Sequence, residues 1–220
     1  MPNSPTEIVL GKVWLGPCPV SLDGTQTYHT EVLKEIGITH IVNCTPDFPF
    51  PAAADLDTDA DREVKQFRVP VPDEDDAPID EYLQGAVEFI HRAVQEGGRV
   101  YVHCETGKSR SATVVLAYRA AMLGETLRTA YHDTKARRPY IQPKVAFFKH
   151  LVAREQEASG TGESSISLEE YGLIYLKDHF APFAWTGIDE AAIKKAWLES
   201  GQDYALASHT LEESVQSALG

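Results

Sequence analysis

The residues best suited to chemistry lie together in mid-chain, at His103-Cys104-Glu105-Thr106-Gly107-Lys108-Ser109-Arg110-Ser111. Cys104 carries a thiol, and an ionised thiol is a strong nucleophile. Arg110, six residues further on, carries a planar fork of donors that fits two oxygens of a phosphate at once. The apolar, β-prone run Val100-Tyr101-Val102 precedes them, and Ser111 to Tyr118 reads as a buried helix. A strand, a tight loop and a helix start aim backbone N–H groups and the positive end of a helix dipole at one point. An anion belongs there, and so does the thiolate of Cys104. Nucleophile, oxyanion cradle and fixed arginine together make a phosphoryl-transfer site. Ser111 is placed to hydrogen-bond the sulfur and ease its departure in a second step. His103 supports the loop from the strand end. Glu105, Thr106, Gly107, Lys108 and Ser109 supply the amides and the rim of a phosphate pocket.

Two blander readings are weaker. Gly107-Lys108-Ser109 imitates the end of a nucleotide-binding glycine-rich loop, but that loop needs a glycine where Val102 stands. A merely structural cysteine leaves the glycine and the arginine without a purpose.

The pattern Cys-x5-Arg-Ser, preceded by His and a strand, resembles the signature of the protein tyrosine phosphatase superfamily, and HCETGKSRS is closest to its dual-specificity branch. The resemblance covers roughly residues 6 to 157. Glu7-Ile8 to Leu15-Gly16 resembles the family's first hairpin, Gly37 to Asn43 one of its strands, and Arg138-Pro139-Tyr140-Ile141-Gln142-Pro143 its Arg-Pro segment. It implies a cofactor-free, metal-independent phosphatase of the atypical kind. That enzyme acts on phosphotyrosine and phosphoserine/threonine of proteins through a cysteinyl-phosphate. Cys104, Arg110 and Ser111 are the catalytic residues so implied, together with an acid that follows the preceding strand. Val69-Pro70-Val71-Pro72-Asp73-Glu74-Asp75-Asp76 occupies that place, and alignment on the strand end gives the role to Asp73, with Asp75 and Asp76 as rivals. The family's asparagine after the Arg-Pro segment is Lys144 here, so its contribution to substrate binding does not carry over. A basic residue at Lys108 also occurs in lipid-phosphatase relatives. The alternative substrate is therefore a non-protein phosphate (phosphoinositide, phosphoglycan or an RNA 5′ phosphate), and the alternative class a non-catalytic phosphoprotein-binding module. Lys135, Arg137 and Arg138 add positive charge toward the mouth. Cys44 ends the strand expected beside the signature strand, which marks it as a redox partner for Cys104; the plainer reading is a buried spectator thiol.

The elements that must position these residues follow from periodicity. Ile8-Val9-Leu10 and Val13-Trp14-Leu15 flank a hairpin turn at Gly11-Lys12. Helices are predicted over Tyr28–Ile36, Asp80–Glu96, from Ser111 to Gly124, over Thr126–Arg137 and from Pro143 onward, with strands at Ile38–Cys44 and Val64–Val71. Residues 46 to 63 read as an exposed loop. Strands alternating with helices give an α/β fold with a mostly parallel central sheet flanked by helices. The domains expected are a catalytic domain over 1–157, a linker over 158–166 and a helical C-terminal extension over 167–220. In the extension, Leu168–Asp178, Asp189–Glu199 and a weaker Leu211–Leu219 read as helices. Its apolar face (Leu173, Ile174, Leu176, Phe180, Trp185, Trp197) is expected to pack onto the first domain, or else to serve a partner or self contact.

The chain has 220 residues, a net charge of −13 and 43% hydrophobic content, which suits one domain plus a smaller segment. The negative balance disfavours a nucleic acid or an anionic membrane as partner and leaves phosphate recognition to a local pocket. No membrane-length apolar run or signal peptide is read, so membrane insertion is not expected. Cys18, Cys44 and Cys104 form neither a disulfide framework nor a CxxC metal pattern. That fits a reducing compartment, the cytoplasm with the nucleus open.

Overall fold

The computed structural model describes residues 4–21, 30–52, 56 and 64–219. It divides into two compact units, Met1–Ser165 and Ile166–Gly220. The first unit is built on a five-stranded sheet of order β1-β2-β5-β3-β4. Strand β1 (Thr6–Val9) pairs antiparallel with β2 (Val13–Gly16), and β2, β5 (Val100–His103), β3 (His40–Asn43) and β4 (Lys65–Arg68) run parallel. The hairpin turn holds because Gly11 takes a φ of 64°.

Strand β5 lies at the centre and is buried along its whole length, as a parallel strand covered on both faces must be. Alternation sends Trp14, Ile41 and Tyr101 to one face, where they pack with Leu33 and Ile38 beside helix α1 (Thr30–Ile36). Helices α2 (Asp80–Gln95) and α3 (Arg110–Leu123) pack on the strands too, followed by α4 (Leu127–Arg137) and α5 (Val145–Ala158). Helix α2 forms because Leu83, Val87 and Ile90 recur on one buried stripe. Helix α3 is buried from Arg110 to Arg119 and stops at Gly124, whose φ of 67° provides the left-handed cap.

The strands are shorter than periodicity suggests. After β3 the chain turns, and Asn43 Oδ1 accepts both the N–H (3.1 Å) and the hydroxyl (2.6 Å) of Thr45. Tyr28 and His29 of the first predicted helix lie outside the described residues, as does the predicted exposed loop at 53–55 and 57–63.

The second unit holds helices α6 (Leu168–Phe180), α7 (Glu190–Glu199) and α8 (Tyr204–Leu219), with a 3-10 turn at Ala181–Thr186. Ser167 and Asp189 cap α6 and α7 by accepting the N–H groups of Glu170 and Ala192. Here one expectation, the start of the last helix, is corrected. Leu176, Phe180 and Trp197 face the unit's own core with Ile188, Ile193, Ala207, Leu211 and Val215, and Leu173 packs against it. The third helix starts at Tyr204 rather than near Leu211, which brings Ala207 into that core. Trp185 stays 69% exposed.

Candidate active site

The segment between β5 and α3 forms a tight ring whose polarity is set from outside. The carbonyl of Cys104 lies 3.3 Å from His103 Nδ1, and that of Glu105 accepts from Cys18 N–H at 3.0 Å. The carbonyls of Thr106 and Gly107 accept from Arg138 Nη2 (3.2 Å) and Nε (3.0 Å). Lys108 O takes the N–H of Gln142 at 2.9 Å, and Ser109 O takes the N–H (2.9 Å) and hydroxyl (3.0 Å) of Thr113. A planar peptide points its N–H opposite to its C=O. With every carbonyl from Cys104 to Ser109 held outward, the amides of residues 105 to 110 turn inward, and none meets an acceptor among the described residues. Gly107 makes the ring possible: its φ is 69°, and a Cβ there would sit 2.5 Å from the backbone of Gly16.

Cys104 lies at this ring, 1% exposed, and Ser111 Oγ donates to its sulfur at 3.1 Å. Arg110 is buried, with Nη1 donating to Val71 O at 3.1 Å. Its Nη2 is 3.7 Å from Glu105 Oε2, and its Nε is 4.0 Å from Asp73 Oδ2. That buried Nε has no hydrogen-bond partner among the described residues, so the guanidinium keeps donor capacity in reserve. Thr106 and Lys108 are exposed at the rim, as is Glu105, whereas Ser109 is buried and its hydroxyl donates to Asp73 Oδ1 at 2.9 Å.

Of the rival acids, Asp73 faces the ring, while Asp75 is held outward by Lys144 Nζ at 3.1 Å. His103 is fully buried, stacked on Tyr101 at 5.6 Å, and burial pushes its pKa down to about 3, so it is neutral. A carbonyl partner fixes its proton on Nδ1. Cys44 donates its N–H to His103 O at 2.7 Å. Burial, followed by the like charge of Cys104, pushes its thiol well above the ordinary range. Cys18, absent from the candidates drawn from sequence, lies on the other side, its thiol pushed up to about 11 mainly by burial.

Arg138 corrects a second expectation. It does not line the mouth but lies fully buried behind the ring, stacked on Tyr140 at 5.0 Å and also bonded to Ser4 O and Thr6 Oγ1. Arg137 pairs with Asp133, and Lys135 donates to Ile141 O. A cation after a helix end reads from sequence as a surface charge; only the fold reveals a buried fork.

A tetrahedral oxyanion is the ligand such a ring fits, and the class that this fold and ring define is the cysteine-based phosphatases. The chain belongs to the dual specificity phosphatase family: the profile of its catalytic domain matches residues 21–157. Dual specificity protein phosphatase 14 of Homo sapiens is 32% identical over 168 residues, 73% of this chain and 79% of the relative. Dual specificity protein phosphatase 1 of Arabidopsis thaliana is 38% identical over 125 residues, 57% of this chain and 59% of the relative. Among solved structures, human DUSP28 matches with a TM-score of 0.61 at 26% identity, covering 72% of this chain and 97% of that one. A mouse putative dual specificity phosphatase complexed with zinc tungstate matches with a TM-score of 0.60 at 28% identity, covering 71% of this chain and 89% of that one. The family match ends before the second unit begins at Ile166.

Proposed function

We propose that the first unit hydrolyses phosphate monoesters on proteins, at phosphotyrosine and phosphoserine/threonine, with Cys104 as nucleophile. The observation that carries this reading is the ring of inward amides around a buried cysteine, closed by Arg110. The Cys104 thiolate attacks phosphorus while Arg110 and the amides hold the non-bridging oxygens. Asp73 gives its proton to the leaving oxygen, which departs as an alcohol or phenol. The Asp73 carboxylate then takes a proton from water as the water oxygen attacks the cysteinyl-phosphate. The sulfur leaves as a thiolate stabilised by the Ser111 hydroxyl. The tungstate in the mouse relative, a tetrahedral oxyanion, is the kind of ligand this ring suits.

The test is turnover of p-nitrophenyl phosphate, then of phosphotyrosyl and phosphothreonyl peptides against a soluble phosphoinositide. Wild type should turn over the aryl phosphate and both peptides, and Cys104→Ser none of them. A rate for Cys104→Ser equal to wild type, or turnover of the phosphoinositide alone, removes the reading.

Cys44 is proposed as a resolving thiol. It follows the Asn43–His103 register pair of adjacent parallel strands, so it lies beside Cys104. Hydrogen peroxide would oxidise Cys104 to a sulfenic acid, and the Cys44 thiol would displace water to give a disulfide. Mass spectrometry after mild peroxide should show a Cys44–Cys104 peptide that persists in Cys18→Ser. A sulfinic Cys104 alone, or a Cys18 linkage, ends the idea. Among the described residues no helix is long and apolar enough to cross a membrane. The free cysteines fit a reducing compartment, and we place the protein in the cytoplasm, with the nucleus open. Trp185, Leu198, Leu206 and Leu219 are the exposed large apolar side chains of the second unit on which a partner or self contact would draw.

A further inference from the structure

The loop after β4 carries Asp73, Glu74, Asp75 and Asp76, all exposed. Like charges in such a row repel, so the loop stays near the ring only if other elements hold it. Two ties do so. Asp73 Oδ1 accepts from Ser109 Oγ at 2.9 Å, and Asp75 Oδ1 accepts from Lys144 Nζ at 3.1 Å. The ties are joined, because Ser109 Oγ in turn accepts the backbone N–H of Lys144 at 3.2 Å. A hydroxyl has one proton to give; with the Lys144 amide on its lone pair, that proton goes to Asp73. The result is a closed circuit, Asp73–Ser109–Lys144–Asp75, across the acidic loop, the phosphate ring and the start of α5.

We propose that Lys144 is a positioning residue for hydrolysis, drawing Asp75 outward and keeping Asp73 seated against Ser109 as the general acid. The proposal rests on the reading of Asp73 as general acid. Lys144 stands where the family pattern has asparagine, which is shorter, uncharged and unable to draw a carboxylate by charge. The Lys144 side chain is 27% exposed and that of Asp75 67%, so the pair is wet, and its effect is a modest, salt-sensitive bias of loop position. An exposed ion pair of this kind shifts a loop population by roughly two- to fivefold.

The experiment measures kcat and KM for Lys144→Met, Asp75→Asn and the double variant on phenyl phosphate, a poor leaving group, and p-nitrophenyl phosphate, a good one. The ratio of the two kcat/KM values covers only the steps up to departure of the alcohol or phenol, so it reports protonation of the leaving oxygen and cancels any general loss of folded enzyme. Each single variant should lower that ratio roughly two- to fivefold, with KM unchanged and no further fall in the double variant. Lys144→Arg should keep most of it, and about 1 M salt should bring wild type to the level of the variants. An unchanged ratio in Lys144→Met, additive effects in the double variant, or a fall in Asp75→Asn far beyond fivefold overturns the proposal. Asp73→Asn, run in parallel, separates the two layers. If it leaves the ratio intact, the assignment of the acid fails; if it collapses the ratio while Lys144→Met does not move it, only the role of Lys144 fails.

Discussion

Arg138→Met is the perturbation that most directly tests how the phosphate ring gets its polarity. Arg138 holds the carbonyls of Thr106 and Gly107 outward, and the two amides that follow them in the chain, of Gly107 and Lys108, point inward for that reason. Methionine fills much of the same space but donates nothing. Ser4 O, Thr6 Oγ1, Thr106 O and Gly107 O then lose a charged donor. Hydrogen bonds to a charged group contribute about 1.5–3 kcal/mol each; with partial rescue by water, a net destabilisation of about 3 kcal/mol is expected for a buried group of this kind. The two freed peptides can rotate, and the loss of a single preorganised donor from an oxyanion site typically costs about 10²–10³-fold in rate. The assay is kcat/KM on p-nitrophenyl phosphate, together with the inhibition constant of vanadate, measured at a temperature where the variant is folded. Both should worsen by roughly 10²-fold or more. Arg138→Lys should recover little, because an ammonium cannot span two carbonyls as a guanidinium does. A variant with a lower Tm but wild-type vanadate affinity would refute the reasoning, since the ring would then hold its shape without the fork.

The other predictions are narrower. Gly107→Ala must place a Cβ 2.5 Å from the Gly16 backbone at a φ of 69°; it should lose roughly 1–3 kcal/mol of stability and at least tenfold in vanadate affinity, and an unaffected affinity would show that the ring tolerates the shift. Ser111→Ala removes the 3.1 Å bond to the Cys104 sulfur, so dephosphorylation of the cysteinyl intermediate should slow by roughly tenfold or more; rapid-quench kinetics should then show a burst, and no burst would count against this role. His103, held down to about pKa 3, is protonated in the unfolded chain but not in the fold between about pH 6.5 and 3. Its stabilisation is therefore complete above about pH 6.5 and is lost as the pH falls toward 3, at up to about 1.4 kcal/mol per pH unit. Urea midpoints of wild type against His103→Asn should diverge as pH rises from 4 to 7, and parallel lines would contradict it.

The alternation of strands and helices was legible in the sequence because it is a local matter. Leu83, Val87 and Ile90 mark a helix face at their own spacing, and Val100 to Val102 announce a covered strand by continuous hydrophobicity. The Cys104-to-Arg110 ring was legible for the same reason: a strand end, one glycine of positive φ and a helix start dictate its shape within a dozen residues. How Asp73 and Asp75 differ was not, because both sit on the same run; Asp73 meets Ser109 and Asp75 meets Lys144, partners far away in the chain. Nor was the second unit's core legible, since Trp197 meets Leu176 and Phe180 only once three helices have folded together.

By itself, then, the amino-acid order determined the candidate nucleophile, the ring around it and the α/β frame, all written in short-range pattern. Tertiary structure decided what surrounds them: Arg138 buried behind the ring rather than exposed at its mouth, and Asp75 paired with Lys144 while Asp73 meets Ser109. These are distances between segments far apart in the chain, and a distance of that kind has no value until sheet register and helix packing fix it.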